Sequence, residues 1–255
     1  MSWQVAIPPP LQETIRRVMF IWVMLNHQAF HVTRHNRDQT GSTGIKRYGK
    51  ICYVQRREMA MKKEIKRRNI LVLLGSPRKK GNSATLAEQI IKGAEAEGSE
   101  VETVYLHGMK IGPCQSCYTC QRPDTKGCAI DDDMQTIYPK LLKNDSWVIA
   151  SPVFWFNMSA QTKLFMDRCF ALPAYQKDGF IGKRIAIAMT YGDTDPFTSG
   201  CVNALRCFQD SFRYVGAKIV GMVYGSALAA GEIKSNSALM QAAEELGKKI
   251  ASLRK

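Results

Sequence analysis

The chain has 255 residues, 45% hydrophobic and 23% charged, with 8 cysteines and a formal net charge of +14. That makeup excludes a disordered acidic chain and a small disulfide-stapled scaffold, while the length admits one large domain or two small ones. The charge suggests a nucleic-acid binder, yet residues 1–69 carry 14 Lys/Arg against 4 Asp/Glu and residues 70–255 carry 22 against 18, so most of the surplus lies in the first quarter.

Residues 1–68 read as a basic leader. Pro8-Pro9-Pro10, a His- and Arg-rich stretch from His27 to Arg37 and a basic run from Lys62 to Arg68 show no sustained helical or strand period. An RNA-binding or membrane-surface arm competes with two plainer accounts, a poorly ordered leader and a true translation start at Met59 or Met61. The plainer accounts are favoured, so nucleic acid is not the expected partner. The longest apolar run, Val18 to Leu25, falls well short of the ~20 residues of a spanning helix. It also sits late for a signal peptide and lacks a convincing cleavage site. A cytoplasmic protein without a membrane span is expected.

From Ile70 the pattern becomes regular, and residues 69–255 read as one domain. Ile70 to Leu74 is an unbroken apolar run ending at Gly75, as expected of a strand buried on both faces. Leu86, Ile90 and Ala94 mark an amphipathic helix ended by Gly98. Val101–Leu106 alternates as a second strand, Asp131–Lys143 is a helix with aspartates at its positive end, and Trp147–Ala150 is a third strand. A helix over Ser159–Ala171, a strand over Ile185–Thr190, a helix from about Thr198 to Tyr214, a strand over Lys218–Tyr224 and a helix from Ser237 complete the series. Five strands alternating with helices predict an α/β fold. The expected form is a three-layer sandwich around a five-stranded parallel sheet in the flavodoxin-like order 2-1-3-4-5.

Ligands of such sheets bind beyond the carboxyl ends of the strands. The first loop, Gly75-Ser76-Pro77-Arg78-Lys79-Lys80-Gly81-Asn82-Ser83, is neither a Walker loop nor GxGxxG. It offers hydroxyls, an amide, backbone N–H groups and Arg78 at a helix N-terminus, a set suited to a phosphate monoester; a plain connector is the alternative. After the third strand, Pro152-Val153-Phe154-Trp155-Phe156-Asn157 offers an aromatic rim for a flat heteroaromatic ring. Tyr191-Gly192-Asp193 supplies a second wall. The three loops converge on a site shaped for FMN.

Cys114, Cys117, Cys120 and Cys128 form C-x2-C-x2-C-x7-C after the second strand. Their spacing suits a [4Fe–4S] cluster; zinc, which usually takes separated pairs, and free thiols are the competing readings. Three of the four histidines lie in the leader, so His-based acid–base chemistry in the domain is not expected and no catalytic side chain is assigned.

The stretches GSPRKKGNSATL, SPVFWFNMSAQTKLFMDR and TYGD resemble the NAD(P)H-dependent FMN reductase and iron–sulfur flavoprotein family of the flavodoxin-like superfamily, over roughly Asn69 to the C-terminus. The resemblance implies that Ser76, Arg78, Asn82 and Ser83 hold the FMN phosphate. It also implies that Pro152 to Asn157 and Tyr191 to Asp193 flank the isoalloxazine, and that the protein is a homodimer. Lys163, Asp167 and Arg168 match the family pattern and are assigned a structural role, holding helix to loop. NAD(P)H is the implied co-substrate, with a quinone, flavin or nitroaromatic as the small acceptor. With a cluster on the four cysteines, the alternative is a non-catalytic one-electron carrier served by ferredoxin. Relatives lacking a cluster keep similar cysteines, so the resemblance leaves its occupancy open.

Overall fold

A computed structural model describes residues 68–252. The expected basic leader, Arg68 apart, lies outside the described residues. The parallel strands are β1 (Asn69–Leu74), β2 (Glu100–Tyr105), β3 (Ser146–Phe154), β5 (Arg184–Tyr191) and β6 (Lys218–Ser226), with a two-residue β4 (Asn157–Met158) between β3 and β5. They are ordered β2-β1-β3-β5-β6, and β4 pairs antiparallel with the end of β3. Counting only parallel strands, this is the flavodoxin-like order expected. The added β4 arises because β3 does not stop at Ala150 but runs four residues further and folds back on itself.

The helices are α1 (Asn82–Ala96), α2 (Met134–Lys143), α3 (Ala160–Arg168), α4 (Leu172–Tyr175), α5 (Cys201–Tyr214) and α6 (Ser237–Ala251). Three begin or end away from the sequence expectation. Asp131–Asp133 lie outside α2, where Asp132 accepts from the Met134 N–H rather than contributing a helical turn. The helix expected over Ser159–Ala171 ends at Arg168, passes through a 3-10 turn and restarts as α4 at Leu172. The segment before Cys201 is a loop ending in Gly200 at φ +74°, not helix.

Successive strand residues face opposite layers. Leu71, Leu73, Trp147, Ile149, Ile187 and Met189 pack one core with residues of α2, α3 and α5. The other face carries smaller groups, among them Ala150, Ala186 and Ala188, and packs α1 and α6. Those two helices approach closely because glycines lie between them. A Cβ on Gly93 would stand 2.0 Å from the Glu244 carbonyl oxygen, and one on Gly247 would stand 2.0 Å from that of Ile90. In the register, Leu74 faces Ala150 and Pro152 faces Thr190, so the carboxyl ends of β1, β3 and β5 open side by side. Among the described residues no helix is long and apolar enough to cross a membrane.

Candidate functional site

The loop after β1 is fixed before it reaches any ligand. Gly75 N–H donates to Ala150 C=O at 2.8 Å, and the Ser159 hydroxyl donates to Gly75 C=O at 2.6 Å while accepting from Thr162 N–H as the cap of α3. Only glycine fits at 75, because a Cβ there would lie 1.9 Å from Thr162 Oγ1. The chain then turns through Ser76–Gly81 into α1, whose N-cap Gly81 has no side chain to cap it. The first N–H groups of a helix have no partner within it and carry its positive dipole end. Here they sit with the buried hydroxyls of Ser76 and Ser83 and the exposed side chain of Arg78 on one cavity of about 270 Å³. That combination suits an anionic phosphate monoester.

Pro152, Val153 and Phe154 from the end of β3, with Tyr191 and Gly192 from the end of β5, line the same cavity. Nine of the thirteen expected cofactor-site residues are thus brought together, Asn82 among them. Its amide, however, is spent on the protein. Nδ2 donates to Ala229 C=O at 2.8 Å and to Ala227 C=O at 3.2 Å, and Oδ1 accepts from Ile233 N–H at 3.4 Å. Asn82 therefore clasps the loop after β6 against the start of α1. Glu232 braces that loop from within, accepting from Leu228 and Ala229 N–H, both at 2.7 Å. Ala227, Leu228, Ala230, Gly81 and Thr190 line the cavity but were not singled out from sequence. Small apolar residues after an edge strand carry no chemical signal; only the buried amide at the start of α1 hinted at a partner.

Trp155, Phe156, Asn157 and Asp193 do not line this cavity. Phe154 pairs with Asn157, leaving Trp155 and Phe156 as the two turn residues, at φ +47° and +66°. Positive φ at both central positions is the signature of a tight hairpin turn and is costly for aromatic residues. Trp155 is 92% exposed at the tip. The turn is pinned from behind: Asn203 Nδ2 donates to Phe156 C=O at 3.1 Å, and a Cβ on Gly200 would come within 2.6 Å of Phe156 Cα. Asn157 uses Oδ1 to accept from Met158 N–H, and Asp193 uses Oδ1 to accept from Thr194 N–H. The reversal of the chain sets Trp155 and Phe156 at the hairpin turn, while Phe154 stays on the cavity.

A second cavity, of about 240 Å³, is lined by Cys114, Cys117, Cys120 and Cys128 together with Arg168, Tyr118 and Phe170. The four cysteines line one space, although among the described residues no three Cys, His, Asp or Glu side chains converge closely enough to hold a metal ion. Ser116 and Tyr118 stand at φ +54° and +55°, a conformation that in a turn aims successive N–H groups into a concavity. Hydrogen bonds from the Thr119 N–H and hydroxyl hold the Cys117 thiol below its usual range. By contrast, burial pushes the Cys169 thiol up, and the Cys201 thiol to about 11, so these two are inert by environment.

Arg168 borders this cavity with its side chain wholly buried. Nη1 donates to Asp132 Oδ2 at 2.5 Å and to Gly112 C=O at 2.9 Å; Nη2 donates to Asp132 Oδ1 at 3.1 Å and approaches Cys128 Sγ at 3.4 Å. Burial alone would raise the Asp132 carboxyl, but hydrogen bonds from Arg168, Gly112 N–H and Met134 N–H outweigh it and hold the group below its usual value. Asp167 also borders the cavity and forms an exposed pair with Lys163, one turn earlier on α3.

Comparisons with known proteins place the chain in a family. The model of the NADPH-dependent FMN reductase family matches residues 68–249. An iron–sulfur flavoprotein of Archaeoglobus fulgidus is 32% identical over 183 residues, covering 70% of this chain and 77% of its own. A putative NAD(P)H-dependent FMN-containing oxidoreductase of Bacillus subtilis is 28% identical, covering 71% of this chain and 97% of its own. In fold, the chain is similar to an NAD(P)H:quinone oxidoreductase from Methanothermobacter marburgensis, at TM-score 0.58 and 17% identity over 74% of this chain and 99% of that one. A flavodoxin-like sheet with an anion-ready β1–α1 loop, read with the family match, identifies the chain as an NAD(P)H-dependent FMN oxidoreductase belonging to the NADPH-dependent FMN reductase family, with iron–sulfur flavoproteins among its relatives.

Proposed function

We propose that the cleft beyond β1, β3 and β5 holds FMN and that the protein passes electrons from NAD(P)H to a small acceptor such as a quinone, a flavin or a nitroaromatic. The observation that carries this reading is the uncapped N-terminus of α1 sharing one cavity with Ser76, Ser83, Arg78 and the ends of β3 and β5. In this reading Ser76 and Ser83 donate hydroxyl hydrogen bonds to the phosphate, Arg78 closes over it as a cation, and Asn82 holds the roof loop in place. Pro152–Phe154 and Thr190–Gly192 bound the ring end of the cleft and limit water there. FMN, when bound, supplies the hydride-accepting and electron-donating chemistry, while the protein sets orientation and environment. The test is steady-state NADPH or NADH oxidation with a quinone by the purified yellow protein. Sustained turnover supports the reading; protein that takes up no FMN, or that binds it without turning over, overturns it.

The second cavity favours an added role. Four cysteines lining one space, with a buried guanidinium at its edge, suit the donor set of a [4Fe–4S] cluster. We infer that Cys114, Cys117, Cys120 and Cys128 hold such a cluster and that a one-electron donor such as ferredoxin then serves the protein. Iron and acid-labile sulfide in anaerobically purified protein, with a broad absorbance near 400 nm beside the flavin bands, test this directly.

A further inference from the structure

The four cysteines are not equally prepared. Cys114 and Cys117 are exposed and Cys120 is half-buried, all on the turn-rich segment after β2. Cys128 is half-buried and held from several directions. Its N–H donates to Tyr175 Oη at 3.1 Å, its C=O accepts from Gln135 Nε2 at 3.0 Å, and its sulfur lies 3.4 Å from Arg168 Nη2. Tyr175 Oη in turn donates to Gln135 Oε1 at 2.6 Å, and its ring stacks on Tyr138 at 4.4 Å. The approach to Tyr175 requires the glycine before Cys128: Gly127 stands at φ +129°, and a Cβ there would fall 2.3 Å from the tyrosine ring. Arg168 is itself immobilised, because Asp132 engages both terminal nitrogens and Gly112 C=O accepts from one.

Resting on the cluster reading above, we propose that Arg168 is a positioning residue for Cys128, fixing it as the preformed corner of the cysteine site and drawing electron density from its sulfur. The guanidinium stays charged under all working conditions and presents its donors in a rigid fork. Burial weakens the screening of its charge, so its effect on a neighbouring sulfur is larger than at a surface. A cationic donor on a ligand sulfur favours the more negative, reduced form of a cluster and raises its reduction potential. Asp132 moderates this charge and keeps the fork aimed. Arg168 thereby holds two jobs that one lysine could not, since a single ammonium would replace two nitrogens held apart on different partners.

The experiment uses the full chain, purified anaerobically with FMN and cluster loaded, and follows cluster reduction by EPR in a redox titration. Arg168→Lys keeps a cation beside Asp132. The double variant Arg168→Met with Asp132→Asn removes the pair together, so no buried carboxylate is stranded. In the double variant we expect the iron-replete fraction to be harder to reduce by about tenfold, a shift of about 59 mV to more negative potential for a one-electron couple; Arg168→Lys, which keeps the cation but not the donor at Cys128, shifts the same way by less, and the flavin potential is unchanged in both. Loss of iron while FMN content and melting temperature stay at wild-type values equally supports the role. Iron-replete variants at the wild-type potential overturn it. A measurement independent of variants is pulsed EPR of the reduced wild type grown with 15N-labelled arginine: a nitrogen coupling supports the assignment, and its absence refutes it. A wild-type chain that takes up no iron at all overturns the cluster reading and this inference with it, whereas an unchanged potential in loaded variants overturns this inference alone.

Discussion

Replacing Asn82 by alanine separates two jobs that look alike in sequence. The side chain makes two donor contacts, to Ala229 C=O at 2.8 Å and Ala227 C=O at 3.2 Å, and one longer acceptor contact, from Ile233 N–H at 3.4 Å. Hydrogen bonds contribute ~0.5–1.5 kcal/mol each, and truncation leaves Ala227 and Ile233 groups buried without this partner, so the loss should be about 2–3 kcal/mol. For a domain of this size that corresponds to a melting temperature lower by roughly 4–12 °C. The assay is thermal melting of FMN-free protein, paired with an FMN titration followed by flavin fluorescence. If the amide is a clasp, the FMN-free variant melts early and its FMN affinity falls only about threefold, ~0.6 kcal/mol. If the amide instead binds phosphate, a charge-assisted bond of ~1.5–3 kcal/mol is lost, which is ~10- to 150-fold in affinity. An FMN-free Asn82→Ala protein that melts like wild type yet binds FMN at least about tenfold more weakly would refute the clasp.

Arg78→Ala gives the opposite pattern: its side chain is exposed, so FMN-free melting stays unchanged while FMN affinity drops by ~10- to 100-fold in the same titration. Gly93→Ala presses a methyl group to 2.0 Å from the Glu244 backbone. Overpacking of ~1–3 kcal/mol or more should exceed the ~1 kcal/mol gained in helix propensity, and the midpoint of urea unfolding should fall; wild-type stability would mean that α1 and α6 do not pack this closely. Asp132 provides a pH test. Its folded pKa is depressed, so its stabilisation is complete above the ordinary carboxylate value of ~3.9 and is lost as the pH falls through the lowered value. The stability gap between wild type and Asp132→Asn, measured by urea unfolding, should therefore narrow on acidification below about pH 4; a gap independent of pH would contradict the ion pair.

The parallel sheet was legible because buried strands read as short apolar runs, and Ile70–Leu74 with Ile185–Thr190 are such runs. The β1–α1 loop drew notice for a related reason: hydroxyls, glycines and a cation stand together between a strand and a helix. What escaped reading depended on contacts distant in sequence. Nothing near Ala227 or Leu228 announces a cavity wall, since that role comes from Asn82, roughly 145 residues upstream. The aromatic hairpin could not be read because Trp155 and Phe156 adopt a backbone conformation that propensity assigns to Gly or Asn. Arg168 reads as a brace between helix and loop, while Asp132, expected within a helix, lies just before it and accepts from its first N–H. Their bidentate pairing joins the end of one helix to the start of another across 36 residues, and no local pattern carries that information.

Both candidate sites depend on α3. At its N-terminus Ser159 ties Gly75 of the β1–α1 loop to the cap of the helix, and at its last residue Arg168 reaches Cys128. The helix has 9 residues, about 14 Å at the usual rise. The exposed Lys163–Asp167 pair adds only ~0.3–0.5 kcal/mol, so it does not fix the helix. Its position comes from its two ends, one hydroxyl network and one buried guanidinium, together with Phe165 in the core between them. A helix held at both ends behaves as a rigid spacer. The β1–α1 loop and the cysteine cavity are thus anchored on the same short helix, although no side chain lines both cavities.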